Sequence, residues 1–241
     1  MYQTATPKIF GESAKKNAQE KSILLASMDD ESKYGEVFFR MGFGQAVSHD
    51  ILTDYKVMVL AVDEAAIQKD MQRTLSDPEN GLNIDDVGRI VGVWNGMMRR
   101  NGYKNPVKNS PYDGAPLERA IAFTRTIEES KKVSNQFEKV VNEYIGNAVD
   151  DQSVHLSMRH GVLDWLANPN KPADEARIVS NVRFLTEGID IPTLDAVIFL
   201  SPKKSQVDIV QAVGRIMRKA EGKDYGYIIL PIVIPTDETP E

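Results

Sequence analysis

Short apolar runs alternate with longer amphipathic stretches through the second half of the chain. Five runs have the length of a strand: RAIAFT (119–124), SVHLSM (153–158), ARIVSN (176–181), LDAVIFL (194–200) and YGYIIL (225–230). Between them, apolar residues recur at helical spacing over 126–146, 160–168 and 205–218. Because strands that alternate with helices form right-handed crossovers, this pattern predicts an α/β fold with a parallel sheet covered on both faces.

The first half of the chain is less regular. DYKVMVLAVDE (54–64) predicts one more buried strand. Residues 66–116 are helical and then rich in turn residues, and DDVGRIVGVWNGMMRR (85–100) predicts an amphipathic helix that packs against the rest of the protein. We therefore divide the chain into an N-terminal part at 1–66, a helical linker or insert at 67–116 and a main domain at 117–241.

Two acidic clusters are similar to metal-binding motifs, but we interpret them as helix-capping or solvent-exposed residues. Asp63 and Glu64 end the predicted strand at 54–64, and MDDE occupies 28–31. Acids at the end of a strand commonly cap the helix that follows, and MDDE is typical of a solvated loop or a helix start. We expect neither cluster to bind a metal ion.

Composition narrows the functional classes. The 241 residues include 29 basic and 35 acidic side chains, and a formal charge of −6 argues against coating nucleic acid through bulk charge. The chain has no cysteine, which excludes disulfides and thiolate metal sites, and its three histidines are scattered. No segment shows a signal peptide or the roughly 18 apolar residues of a membrane span, so we expect a soluble, cytoplasmic protein without a membrane partner.

The segment QAVGRIMRK (211–219) carries the strongest chemical signal. Arg215 and Arg218 are three residues apart, so on a helix they present two guanidinium forks to one point, which suits a polyphosphate. Gly214 costs about 1 kcal/mol relative to alanine inside a helix, which indicates a ligand passing close to the backbone. The alternative is a helix C-terminus enriched in basic residues that favour the helix dipole.

A second candidate segment is FLTEGIDIP (184–192). Gly188 allows a close approach of backbone to a ligand, and the carboxylate of Asp190 can accept hydrogen bonds from a sugar hydroxyl. An ordinary turn with a helix-capping aspartate has the same appearance, and both interpretations stay open.

Four segments in order along the chain resemble motifs III, IV, V and VI of superfamily 2 helicases and translocases. They are TATP (4–7), AIAFTRT (120–126), LTEGIDIPTLDAVIF (185–199) and QAVGRIMR (211–218). The chain is most similar to the helicase part of single-polypeptide restriction-modification enzymes and related helicases. The resemblance implies a RecA-like C-terminal lobe, preceded by a remnant of the first lobe at 1–66.

The resemblance also implies contacts with ATP. Arg215 and Arg218 would act as arginine fingers on a triphosphate held by the first lobe, and Gln211 would organise that contact. Gly188 and Asp190 would approach the ribose. ATP with Mg²⁺ is thus the implied cofactor of the complete enzyme.

Contacts with DNA are implied at other positions. Thr124 and Arg125, after the motif IV strand, would lie on the strand-binding groove, and Thr186 would touch the nucleic-acid backbone. Thr4 and Thr6 match motif III, which couples hydrolysis to movement. Further basic side chains are candidates for phosphate contacts or plain solvated charges: Lys131, Lys132, Arg183, Lys203 and Lys204.

One family motif is missing from the sequence, the phosphate-binding loop G-x-x-x-x-G-K-[ST]. The pair Gly222–Lys223 is followed by an aspartate in a charged turn. We expect the chain to be the downstream part of a longer enzyme, with nuclease or methyltransferase domains attached, and to be inactive alone. The alternative is a non-catalytic RecA-like module that binds nucleic acid or docks on a partner carrying the loop.

Overall fold

The computed structural model describes residues 9–100, 114–148, 154–182, 191, 193–202 and 205–235. Contacts between residues divide the chain into two compact units, Met1–His49 and Asp50–Glu241.

Within its described residues, 9–49, the first unit has three short helices, α1 (Glu12–Glu20), α2 (Glu31–Tyr34) and α3 (Phe43–Ser48). Lys15 on α1 binds Asp29 through Nζ at 2.7 Å, and the backbone N–H of Phe10 donates to Ser27 Oγ at 3.0 Å. Asp30 caps α2 by accepting from the backbone N–H of Ser32. The predicted helix start at MDDE is confirmed.

The second unit is an α/β structure. Its elements are, in chain order, β1 (Asp54–Asp63), α4 (Glu64–Asp70), α5 (Gln72–Leu75), a 3-10 turn (Pro78–Asn80), α6 (Ile84–Met97), β2 (Arg119–Phe123), α7 (Ile127–Ala148), β3 (His155–His160), α8 (Leu163–Ala167), β4 (Glu175–Asn181), β5 (Ala196–Phe199), α9 (Gln206–Ile216) and β6 (Tyr225–Ile234). All the predicted strands are present, with ends shifted by a few residues.

Within the described residues, the strands form one six-stranded sheet in the order β1-β6-β5-β2-β4-β3. Every neighbouring pair is parallel. β1 pairs with β6 along its whole length, from Asp54 beside Tyr225 to Asp63 beside Ile234. The boundary predicted at residue 66 therefore does not match the sheet, because the strand at 54–63 belongs to the same sheet as the strands after 117.

Helices cover both faces of the sheet. α6 and α7 lie on one face and contribute Trp94 and Tyr144 to its core, where the two rings meet edge to face at 5.5 Å. α8 and α9 lie on the other face, against β4, β5 and β6. The predicted parallel α/β fold is confirmed, and the segment at 85–100 packs on the sheet as expected.

The contact of α6 with β6 is unusually close. Three glycines spaced by four residues face β6: Gly88, Gly92 and Gly96. A Cβ added at Gly92 would lie 2.7 Å from Pro231 Cβ and 3.3 Å from Pro231 Cα. Any side chain at these positions would push the helix away from the strand.

The acidic end of β1 has the structural role that the sequence predicts. Asp63 is the N-cap of α4, and its Oδ1 accepts from the backbone N–H of Ala66 at 3.0 Å. Its carboxylate thereby satisfies a backbone donor of the first helical turn.

Candidate functional site

The turn after β2 is held rigidly at the carboxyl edge of the sheet. Thr124 is fully buried, its N–H donates to the oxygen of Asn181 at 3.0 Å, and its hydroxyl donates to the oxygen of Thr126 at 3.2 Å. Arg125 is exposed at the apex of this turn. Of the pair predicted to contact nucleic acid, only Arg125 presents its side chain to solvent.

Glu129 joins this turn to the end of the neighbouring strand. Its Oε2 accepts from the backbone N–H of Arg125 at 2.7 Å, and its Oε1 accepts from the hydroxyl of Ser201 at 2.9 Å. The N–H of Glu129 donates to Thr126 Oγ1 at 3.1 Å, which caps α7. The position of Arg125 is thus fixed by contacts with two strand ends.

The predicted nucleotide-binding residues lie around the C-terminal end of α9. Gln211 and Arg218 are exposed, whereas Gly214 and Arg215 are half-buried. The helix ends at Ile216 instead of the predicted residue 218, so Arg215 lies in its last turn and Arg218 lies just beyond it. Arg218 follows the last turn, and its N–H donates to the oxygen of Arg215 at 3.3 Å.

Tertiary contacts explain why α9 stops there. The oxygen of Met217 accepts from both the N–H and the hydroxyl of Thr53, at 2.9 and 3.1 Å. The oxygen of Ile216 lies 2.5 Å from where a Cβ at Gly226 would stand, so the helix end abuts β6. The backbone oxygen of Met217, which could accept a bond in a longer helix, is thus used by Thr53.

The two predicted contact regions lie at opposite edges of the sheet. Thr124 and Arg125 follow the carboxyl end of β2. The last turn of α9 reaches Thr53, directly before Asp54, and Asp54 pairs with Tyr225 at the amino ends of β1 and β6. The structure therefore keeps the paired arginines apart from the exposed Arg125.

Lys223 is a site residue that sequence reasoning did not find. Its Nζ donates to the oxygen of Leu194 at 2.6 Å and to the oxygen of Arg218 at 3.1 Å. Burial lowers the pKa of Lys223 to about 8, although the nearby carboxylate of Asp195 acts in the opposite direction. Burial also raises the pKa of Asp195, whose Oδ2 accepts from the N–H groups of Glu118 and Arg119.

Lys132 has a structural partner. Its Nζ binds Asp86 Oδ2 at 2.7 Å and so connects α7 to α6, which corrects its prediction as a phosphate contact or solvated charge. Lys131 is exposed. Eight further predicted residues lie outside the described residues: Thr4, Thr6, Arg183, Thr186, Gly188, Asp190, Lys203 and Lys204.

The described residues contain no cluster of three side chains suited to a metal ion. Among the helices described, none has the length and apolar character needed to cross a bilayer.

Comparison with known proteins gives matches of three kinds. Residues 112–220 match the helicase conserved C-terminal domain family. Among solved structures, the chain is similar to the ATP-dependent Type ISP restriction-modification enzyme LlaBIII bound to DNA, with 86% identity and a TM-score of 0.82. That match covers 100% of this chain and 16% of the enzyme.

More distant matches agree with this result. The chain shares its fold with a fragment of a putative HsdR subunit of a type I restriction enzyme from Vibrio vulnificus YJ016. The two are 16% identical with a TM-score of 0.51, and the match covers 86% of this chain and 38% of that one. The probable helicase A859L of African swine fever virus (strain Badajoz 1971 Vero-adapted) is 22% identical over 211 residues, which are 88% of this chain and 21% of that protein. The chain spans about a fifth of the length of such curated relatives.

Proposed function

We propose that the chain carries the RecA-like C-terminal lobe of a superfamily 2 helicase or translocase and serves as the second motor lobe of an ATP-dependent DNA translocase. The observation that carries the proposal is the 86% identity with a restriction-modification enzyme described as ATP-dependent and bound to DNA. In this proposal the lobe supplies some of the residues that contact ATP and some of the residues that contact DNA.

The nucleotide half is the region around the end of α9. Arg215 and Arg218 donate to the phosphate oxygens of ATP, and Gln211 and Gly214 lie along the same contact. The two guanidinium groups suit phosphate oxygens and cannot ligate a cation, and the sequence has no phosphate-binding loop, so we assign Mg²⁺ and that loop to the first lobe. Charge that develops on the transferred phosphoryl group is stabilised by the two guanidinium groups.

We assign further contacts with ATP and DNA to residues that lie outside the described ranges. Gly188 and Asp190 approach the ribose, and Thr186 touches the DNA backbone. Thr4 and Thr6 couple hydrolysis to movement.

The DNA half is the carboxyl edge of the sheet around Arg125. Its exposed guanidinium stands on a turn fixed by Thr124 and Glu129, which is the geometry needed to hold a backbone phosphate. The distance between the two sheet edges supports this division, since the lobe then binds both ligands without competition. Binding of this type depends steeply on salt and little on base sequence.

A phosphate-release assay with a first lobe supplied in trans tests the proposal. We expect hydrolysis only when both polypeptides and DNA are present, and a loss of about a thousandfold in Arg215→Lys or Arg218→Lys, because lysine lacks the guanidinium fork. Lys219→Ala is the matched control, since Lys219 forms an ion pair with Asp50. Robust hydrolysis by the chain alone, abolished by Arg215→Lys, would overturn the requirement for a second lobe.

A measurement of DNA binding by the same polypeptides distinguishes the motor lobe from the non-catalytic alternative. DNA binding without hydrolysis in any combination with a first lobe would favour a binding or docking module.

A further inference from the structure

A buried network of hydroxyl groups connects α7 to the carboxyl ends of β3 and β4. Ser130 Oγ lies 2.7 Å from His160 Nδ1 and 2.6 Å from Ser180 Oγ. Ser134 Oγ lies 2.6 Å from Ser180 Oγ and donates to the backbone oxygen of Ser130 at 2.8 Å. Ser130 and Ser180 are fully buried.

Counting protons favours one tautomer of the histidine. Four contacts of 2.6–2.8 Å each need one proton, because oxygens at such distances repel without one. The three serine hydroxyls supply three protons. We assign the fourth proton to Nδ1 of His160 on the basis of this count. A fifth contact, between Ser180 Oγ and the backbone oxygen of Ser130, is longer, at 3.3 Å. The backbone oxygen has no proton to donate, so this contact adds none to the count.

The direction of the network follows from this count. Nδ1–H of His160 donates to Ser130, Ser130 donates to Ser180, Ser180 donates to Ser134, and Ser134 donates to the oxygen of Ser130. Because Nδ1 carries a proton in both charge states of the ring, His160 can gain or lose its charge at Nε2 without any rearrangement of the serines.

His160 is half-buried, and its Nε2 has no hydrogen-bond partner among the described residues. His160 lies beside Ser180 in the sheet register, and the next residue of that strand, Asn181, accepts from the N–H of Thr124. His160 thus stands in one row with Thr124 and Arg125 along the carboxyl edge.

Among the residues that the structure describes, no charged side chain binds His160. On α7, Glu129 is held by Arg125 and Ser201, and the remaining charged neighbours of its first turns are Glu128 and Lys131. Other charged side chains of α7, β3 and β4 have partners elsewhere: Lys132, Glu138, Lys139, Glu143, His155, Arg159, Glu175 and Arg177.

We propose that His160 is a further contact to the DNA backbone, in which Nε2 takes up a proton and donates it in a hydrogen bond to a phosphate oxygen while Nδ1–H stays bound to Ser130. The assignment rests on the proposed function, since DNA is the ligand of this edge. The serines preorganise the ring, so little rotational freedom is lost on binding.

The network is tested first without DNA. Nitrogen-15 NMR of the histidine rings is expected to show a protonated Nδ1 and an unprotonated Nε2 for neutral His160. Ser130→Ala removes the acceptor of Nδ1–H, and we expect a mixture of both tautomers. An Nε2–H tautomer in the unaltered protein would overturn the proton count.

Binding to a short mixed-sequence DNA duplex is the second test. His160→Asn keeps a donor at the position of Nδ1 but lacks Nε2, so it preserves the network and removes the contact. We expect about tenfold weaker binding and a salt slope reduced by about one unit. His155→Asn, at the opposite end of the same strand, is the matched control.

The outcomes distinguish the two proposals. Binding that is strong, salt-dependent and identical in the protein with and without His160→Asn would overturn the histidine contact and leave the DNA-binding function intact. No binding by the unaltered protein, at any salt concentration, would overturn both, although the tautomer of His160 would still be established by NMR.

Discussion

Nζ of Lys223 donates to the backbone oxygen of Leu194 at 2.6 Å and joins the segment before β5 to the turn after α9, where Nζ also meets the oxygen of Arg218. The contact restrains the backbone of a proposed arginine finger. The residue preceding Lys223, Gly222, has a φ of +74°, a left-handed conformation that favours glycine.

Lys223 is expected to titrate near pH 8 instead of 10.5, because burial disfavours its charged form. Carbon-13 NMR of the lysine Cε groups measures this directly. Asp195→Asn should lower the pKa further, since the carboxylate of Asp195 raises it. A resonance that titrates near the ordinary lysine value would contradict the burial of the ammonium group, and a higher pKa in Asp195→Asn would contradict the effect of Asp195.

The same shift predicts a dependence of stability on pH. The folded chain holds fewer protons at Lys223 than the unfolded chain between pH 8 and 10.5, so the lysine's contribution to the free energy of unfolding increases with pH across that window. Urea unfolding of the unaltered protein and of Lys223→Met isolates this contribution, because other groups titrate alike in both. An equal pH slope in the two proteins would contradict the prediction.

Gly92→Ala is expected to destabilise the protein by about 2 kcal/mol, because the added Cβ would lie 2.7 Å from Pro231 Cβ and force α6 from β6. Gly146→Ala is the matched control on α7. It has no atom within 4 Å of its added Cβ and should stabilise the protein by about 0.5–1 kcal/mol, as alanine does in helices. Urea unfolding checks both, and equal effects would contradict the close packing.

Local pattern was sufficient for the elements of the sheet. Each predicted strand is a run whose side chains pack on at least one face, and the helix predicted at 126–146 appears at Ile127–Ala148 because its apolar positions repeat at the helical period. The capping role of Asp63 was predictable for the same reason, since donor and acceptor are three residues apart.

Contacts between distant segments were not predictable in this way. Lys223 and Leu194 are 29 residues apart, and Ser130 and Ser180 are 50 apart. The end of α9 is set by Thr53, which is 164 residues from Met217. No local pattern contains such partners, so the sequence indicated the arginines near the end of α9 but not what positions them.

Asp86 takes part in both a helix cap and an ion pair, so we expect the energies of these two contacts to be coupled. Its Oδ2 accepts from the N–H of Asn83 at 3.1 Å and from Lys132 Nζ at 2.7 Å, with 10% of the aspartate side chain exposed. Asp86→Ala removes both contacts and is expected to cost about 2 kcal/mol, whereas Asn83→Ala should cost about 1 kcal/mol.

Lys132→Met completes the test, because it removes the ion pair and keeps the cap. Urea unfolding of Asp86→Ala, Lys132→Met and the double variant gives the coupling energy, which we expect to be about 1 kcal/mol for a pair with one buried member. Strict additivity would mean that the 2.7 Å contact between Lys132 and Asp86 contributes nothing to holding α7 on α6. In that case the apolar contacts between the two helices would be sufficient to position the first turns of α7, on which Arg125 and Ser130 depend.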